Sequence, residues 1–105
     1  PTVLFGLPTL YNALIAHPRS ESRDLRSLRL CLSAAEVLSG DVFREWQRRT
    51  GLAIVEGLGS TEVLHIYLSN LPDARRAGAA GRRVPGYEVR LLDPDGVREV
   101  GDGEE

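Results

Sequence analysis

Short apolar runs alternate with amphipathic stretches over the first sixty residues, and this rhythm restricts the fold more than any other feature. "PTVLF" is extended and apolar, and Gly6 breaks the run. Pro8 suits the first turn of a helix, where its missing N–H costs nothing. Leu10, Tyr11, Leu14 and Ile15 then recur at helical spacing, and Pro18 stops the helix after His17. "RSESRDLRS" is a charged surface loop. "LRLCLS", residues 28–33, alternates Leu28, Leu30 and Leu32 against Arg29 and Cys31, the pattern of a largely buried strand. In "SGDVFREWQRRTG", Ser39 or Asp41 can cap a second helix whose Val42, Phe43 and Trp46 share one face. Arg48 and Arg49 sit near the negative end of its dipole, and Gly51 supplies a left-handed exit. "LAIVEG" is a further short strand. Helix, strand, helix, strand in that order predicts a parallel sheet in an α/β fold. A right-handed crossover would bring both strands' C-terminal ends to one edge of the sheet.

The character changes after about residue 70. "NLPDARRAGAAGRRVPG" is a long loop, with Arg82 and Arg83 read as solvated. "YEVRLLD" alternates Tyr87, Val89 and Leu91 against Glu88 and Arg90, "PDG" signals a turn, and "VREV" can return as a second strand. The expected organisation is therefore an α/β portion over 1–70, followed by a loop and an antiparallel β-hairpin segment over 71–105 of the same domain.

A length of 105 residues suits one domain with a modest core. A net charge of −2 gives no basic footprint for nucleic acid. No apolar stretch has the length of a membrane span. The single cysteine, Cys31, has no partner for an internal disulfide, so a reducing, cytoplasmic setting is the expectation. The sequence holds no methionine, opens on Pro1 and closes on "GDGEE", which reads as a piece of a longer protein.

Both central strands end in unusual chemistry. One runs into Ser33-Ala34-Ala35-Glu36, the other into Glu56-Gly57-Leu58-Gly59-Ser60-Thr61-Glu62. Ligands of open α/β sheets bind beyond the carboxyl ends of the strands, and two small-residue turns there would leave a slot for a flat ring. Gly57 and Gly59 permit close backbone approach. Ser60 and Thr61 offer hydroxyl and N–H groups to phosphate oxygens. Glu62 is the hard carboxylate that a phosphate-bound Mg²⁺ takes from protein, and His65 can pair with an organic acid. By spacing alone a purely structural turn is the commoner reading, with Ser-Thr-Glu as a helix cap and His65 as a satisfied histidine. Glu36 is equally a loop charge or a ligand contact. Trp46 and Phe43 are core. No metal cluster, Cys/His dyad or Ser/His/Asp set is visible.

"GLGSTE" resembles the Gly-x-Thr-Glu core motif of the adenylate-forming superfamily, which includes acyl- and aryl-CoA ligases, peptide-synthetase adenylation domains and luciferases. "FGLPTLYNAL", "LCLSAAEVL", "EGLGSTEVLHIYLSN" and "GRRVPGYEVRLLDPDG" are most similar to the benzoate–CoA ligase group, in order and over nearly the whole chain. The resemblance implies that Thr61 contacts phosphate of ATP and the acyl-adenylate, and that Glu62 helps hold Mg²⁺. It implies that Ala34, Ala35 and Glu36 flank one face of adenine, Leu58 the other, and that Glu56 lies near the adenine amino group. Gly57, Gly59 and Ser60 complete the nucleotide turn. His65, Phe5, Gly6 and Gly57 would shape the aryl-acid pocket. Ala35 stands where relatives usually carry glycine, and Leu58 where an aromatic residue or isoleucine is common.

The implied reaction is ATP-dependent formation of an acyl-adenylate, followed by transfer to coenzyme A. The implied partners are a carboxylic acid, ATP, CoA and the remaining parts of a parent enzyme. The family's phosphate loop, ribose-binding aspartate and catalytic lysine have no counterpart in this sequence, and "GDGEE" falls where Gly-Glu-Leu would begin. The isolated chain is therefore expected to be inactive, with self-association through exposed apolar surface. The alternatives are adenylation for a carrier protein, activation of a non-aromatic acid, and a non-catalytic nucleotide-binding or structural α/β module.

Overall fold

The computed structural model describes residues 1–20, 22–76 and 78–101. In chain order these form β1 (Val3–Gly6), α1 (Pro8–Ala16), β2 (Leu30–Ser33), α2 (Gly40–Thr50), β3 (Ile54–Gly59), β4 (Ile66–Ser69) and β5 (Arg82–Arg83). Among the described residues the strands lie in one sheet, ordered β1-β2-β3-β4-β5. β1, β2 and β3 are parallel, whereas β4 and β5 join antiparallel.

The helices end where their sequences dictate. α1 has Pro at its first turn and stops at His17, ahead of Pro18. In α2 the Ser39 hydroxyl accepts the Val42 N–H at 3.3 Å, a cap that contributes about 1 kcal/mol. Gly51 exits at φ 72, its N–H donating to Gln47 O at 2.8 Å. Asp41 in the first turn and Arg48 and Arg49 in the last complement the helix dipole.

The core forms where both helices meet the sheet. Register places Leu4, Cys31 and Ile54 side by side on neighbouring strands. Cys31 and Ile54 are buried there with Tyr11, Leu28, Leu38 and Trp46, and Leu4 packs against them. Tyr11 and Trp46 meet edge to face with centroids 4.9 Å apart. The Tyr11 hydroxyl donates to Leu32 O at 2.7 Å and Leu4 O at 3.2 Å, tying α1 to two strands. Burial pushes the Tyr11 phenol and the Cys31 thiol above their ordinary pKa values.

Several sequence expectations need adjustment. "PTVLF" supplies a third parallel strand, not merely an extended lead-in. In β2 the buried positions are Cys31 and Ser33, while Leu30 and Leu32 are half-buried. Cys31 faces the helices, so the leucines point to the less covered side. Arg82 and Arg83 are exposed as expected, yet their backbone pairs with Leu68 and Ser69. The antiparallel part thus begins at β3. The expected hairpin over 87–100 is reduced to a bridge between Leu92 and Glu99, with Val100 N–H donating to Leu91 O at 3.0 Å. Tyr87 and Val89 are half-buried and Glu88 and Arg90 exposed, but Leu91, expected on the face of Tyr87 and Val89, is exposed, so the alternation holds only as far as Arg90. Residues 102–105 of "GDGEE" lie outside the described residues.

Candidate functional site

Gly6, Ser33 and Glu56 stand in register across the three parallel strands. The turn after Ser33 leaves the sheet here, but the expected turn at Glu56–Gly59 does not. Those residues stay in β3, where Gly57, Leu58 and Gly59 pair with β4, and the chain turns only after Gly59. Gly6 lets α1 fold over the end of β1, since a Cβ there would lie 2.9 Å from Leu10 Cδ2. The Ser33 hydroxyl is buried without a hydrogen-bond partner among the described residues.

Beyond these strand ends lies a cavity of about 290 Å³, lined by Ala35, Glu36, Val37, Glu56, Gly57, Leu58, Gly78, Ala79 and Ala80. The structure thus brings together Ala35, Glu36, Glu56, Gly57 and Leu58 of the sequence candidates. Leu58 is 43% exposed and offers an apolar platform. A larger cavity of about 790 Å³, between α1, the loop after it and α2, includes none of the candidates.

Hydrogen bonds fix the walls. The Thr9 hydroxyl donates to Glu36 Oε2 at 2.7 Å. The Leu38 N–H donates to Glu56 Oε1 at 3.2 Å, and Asn70 N–H donates to Glu56 O at 2.9 Å. Ala35 adopts φ 74, a left-handed conformation that an L side chain enters at a cost of about 1–2 kcal/mol. This is the position where the family resemblance leads one to expect glycine.

Thr61, Glu62 and His65 occupy an exposed turn between β3 and β4 and do not line the cavity. Neither do Ala34, Gly59, Ser60, Phe5 or Gly6. Leu64 N–H donates to Thr61 O at 3.2 Å, and the Tyr87 hydroxyl donates to Val63 O at 3.2 Å, bracing the turn from the last third of the chain. The backbone N–H and the Ser60 hydroxyl hold the Glu62 carboxyl below its usual range. His65 Nδ1 accepts the Ile66 N–H at 2.7 Å, so the neutral ring carries its proton on Nε2. Phe5, at the end of β1, is 59% exposed. Gly59 has a packing reason of its own: a Cβ would lie 2.5 Å from His65 O, where the β3–β4 ladder shifts register.

Sequence reasoning missed Thr9, Val37, Asn70 and Gly78–Ala80. The run "GAAG" was a signal for the last of these, because small residues suit a wall that a ring lies against.

Parallel strand ends beside a small-residue cavity are the arrangement at which open α/β sheets take their ligands. The chain belongs to the AMP-binding enzyme family, whose model matches residues 1–105. It is 47% identical to the benzoate–CoA ligase of Thauera aromatica, over 92% of this chain and 18% of that protein. It is 48% identical to the 4-hydroxybenzoate–CoA/benzoate–CoA ligase of Rhodopseudomonas palustris, over 99% of this chain and 19% of that protein. Its fold superposes on the anthranilate CoA ligase AuaEII, solved in complex with anthranoyl-AMP, with a TM-score of 0.92 and 42% identity. That match covers 99% of this chain and 20% of the solved one. A benzoate CoA ligase from Burkholderia xenovorans LB400 gives a TM-score of 0.87 at 42% identity, covering 99% of this chain and 21% of that one. The chain thus spans about a fifth of the length of these relatives. Among the described residues no helix is long and apolar enough to cross a membrane.

Proposed function

We propose that this chain is the adenine- and acyl-adenylate-holding part of an ATP-dependent aryl-CoA ligase. The carrying observation is the cavity walled jointly by the turn after β2, by Glu56–Leu58 of β3 and by Gly78–Ala80. Adenine lies between the Ala35–Glu36 turn and Leu58. Glu56 spends one carboxylate oxygen on Leu38 N–H, and its remaining acceptor capacity meets the adenine amino group.

Thr61, through its hydroxyl, and Ser60, through its backbone N–H because its hydroxyl is held by Glu62, donate to phosphate oxygens from the exposed turn, fixing the α-phosphorus for attack. His65 orients the acid through Nε2–H, while Phe5, Gly6 and Gly57 shape the aryl pocket. The acid's carboxylate oxygen attacks the α-phosphorus and pyrophosphate leaves. The thiolate of coenzyme A then attacks the acyl carbonyl, and AMP leaves. Among the described residues no group of three or more His, Cys, Asp or Glu is placed to enclose a metal ion. A single ionised carboxylate, Glu62, suits Mg²⁺, which keeps several waters and phosphate oxygens as ligands. Bound there, Mg²⁺ would offset phosphate charge as adenylation proceeds.

The test is ATP–pyrophosphate exchange by the complete gene product carrying this sequence. The acids are benzoate, 4-hydroxybenzoate, 2-aminobenzoate and short fatty acids. Exchange dependent on an aryl acid is expected. Exchange with fatty acids only, or with no acid, contradicts the proposal.

A further inference from the structure

Asn70 follows β4 and is 6% exposed. Its side-chain amide reaches into the segment that walls the cavity. Nδ2 donates to Ala79 O at 2.7 Å, and Oδ1 accepts the Arg76 N–H at 3.2 Å. The Asn70 backbone N–H donates to Glu56 O, and Glu56 holds Leu38 N–H through its carboxylate. One hydrogen-bonded chain therefore runs from the turn after β2, through β3 and Asn70, to Gly78–Ala80. Gly81, at φ 93, closes the segment so tightly onto Ser69 and Asn70 that a Cβ has no room.

We propose that Asn70 is a positioning residue for the nucleotide: it seats Gly78–Ala80 as a wall of the adenine slot and so sets the slot's width. The inference rests on the nucleotide reading given above. An amide is required because the segment presents an acceptor and a donor together, Ala79 O and Arg76 N–H. An aspartate of the same shape keeps the bond to Arg76 but turns a carboxylate oxygen toward Ala79 O. The part-buried carbonyl of Ala79 then loses its donor and the wall moves.

The experiment measures KM for ATP, KM for the preferred aryl acid and kcat in the complete gene product, for wild type, Asn70→Asp and Ala80→Val. Asn70→Asp is expected to raise the ATP KM about tenfold while the acid KM stays within about twofold. Ala80→Val, which adds bulk to the wall without touching the clamp, is expected to move the same constant. A purely structural role for Asn70 would lower the folded fraction, so apparent kcat would fall with both KM values unchanged. That result, or an equal rise in both KM values, overturns the proposal. If Asn70→Asp does not fold, an unchanged ATP KM in Ala80→Val overturns it instead. A wild type without saturable ATP dependence removes the nucleotide reading and the clamp together. A saturable wild type with unchanged variants removes the clamp alone.

Discussion

The Thr9 hydroxyl donates to Glu36 Oε2 across 2.7 Å, joining the start of α1 to the cavity turn. The bond fixes an otherwise exposed carboxylate at the rim of the slot. Thr9→Val keeps the side chain's shape and deletes the donor. An exposed hydrogen bond of this kind contributes at the low end of about 0.5–1.5 kcal/mol. A two- to fivefold loss of AMP affinity, roughly, is expected by titration calorimetry on the complete gene product. Unchanged affinity would mean that Glu36 orients itself without help.

Ala35 carries backbone strain that glycine would relieve. At φ 74 the methyl costs about 1–2 kcal/mol, whereas glycine adds about 0.5–1 kcal/mol of unfolded-chain entropy. Ala35→Gly is therefore expected to raise stability by about 0.5–1 kcal/mol in urea unfolding. Gly51 is the mirror experiment, at φ 72 with open space where a Cβ would stand. Gly51→Ala is expected to lower stability by about 1 kcal/mol through backbone strain without a clash. Equal effects of the two changes would contradict the strain argument.

The sequence pattern revealed local structure more fully than long-range pairing. The limits of α2 were legible because Ser39 and Gly51 act within one helical turn of their targets. The slot's walls at 35–36 and 56–58 were legible from small residues at strand ends and from the family resemblance. β5 was not, because exposed Arg82 and Arg83 contribute backbone to the sheet and no buried side chain. On β2 the alternation alone did not say which face is the more deeply buried, because Leu30 and Leu32 are apolar on one side and Cys31 and Ser33 small on the other. The helices decide it by covering the Cys31 side. Asn70 was invisible for a similar reason: its partners, Arg76 and Ala79, are brought to it by the tertiary fold.

Glu45 links stability to acid pH. Arg48 at 2.8 Å and Arg49 at 2.6 Å depress its carboxyl from 4.5 to about 2. A depressed folded-state value means the contribution is present above the unfolded value and is lost as pH falls through the folded one. The pair's contribution should therefore fade between pH 4.5 and about 2. Glu45→Gln is expected to flatten the pH dependence of urea unfolding across that window and to leave its shape near neutrality unaltered. An unchanged acid limb in the variant would remove Glu45 from the linkage. Arg49 also donates to Ile15 O and Ser20 Oγ, so the pair braces the end of α1.

Glu62 carries the metal role in the proposed chemistry. Glu62→Gln keeps the turn's size and removes the charge. Adenylation measured by pyrophosphate exchange is expected to fall about a hundredfold or more, with aryl-acid affinity retained. Near wild-type exchange would withdraw Mg²⁺ from this carboxylate. Residual activity that recovers at high Mg²⁺ would agree with a weakened metal contact.

Photolabelling with 8-azido-ATP, followed by peptide mapping, tests most directly where the base sits. The complete gene product is irradiated with and without excess ATP. Protectable label is expected on the segments containing Ala35–Val37, Glu56–Leu58 and Gly78–Ala80, which line the smaller cavity. Protectable label confined to the larger cavity, on the segments around Leu25–Leu28 and Trp46–Thr50, would contradict the account.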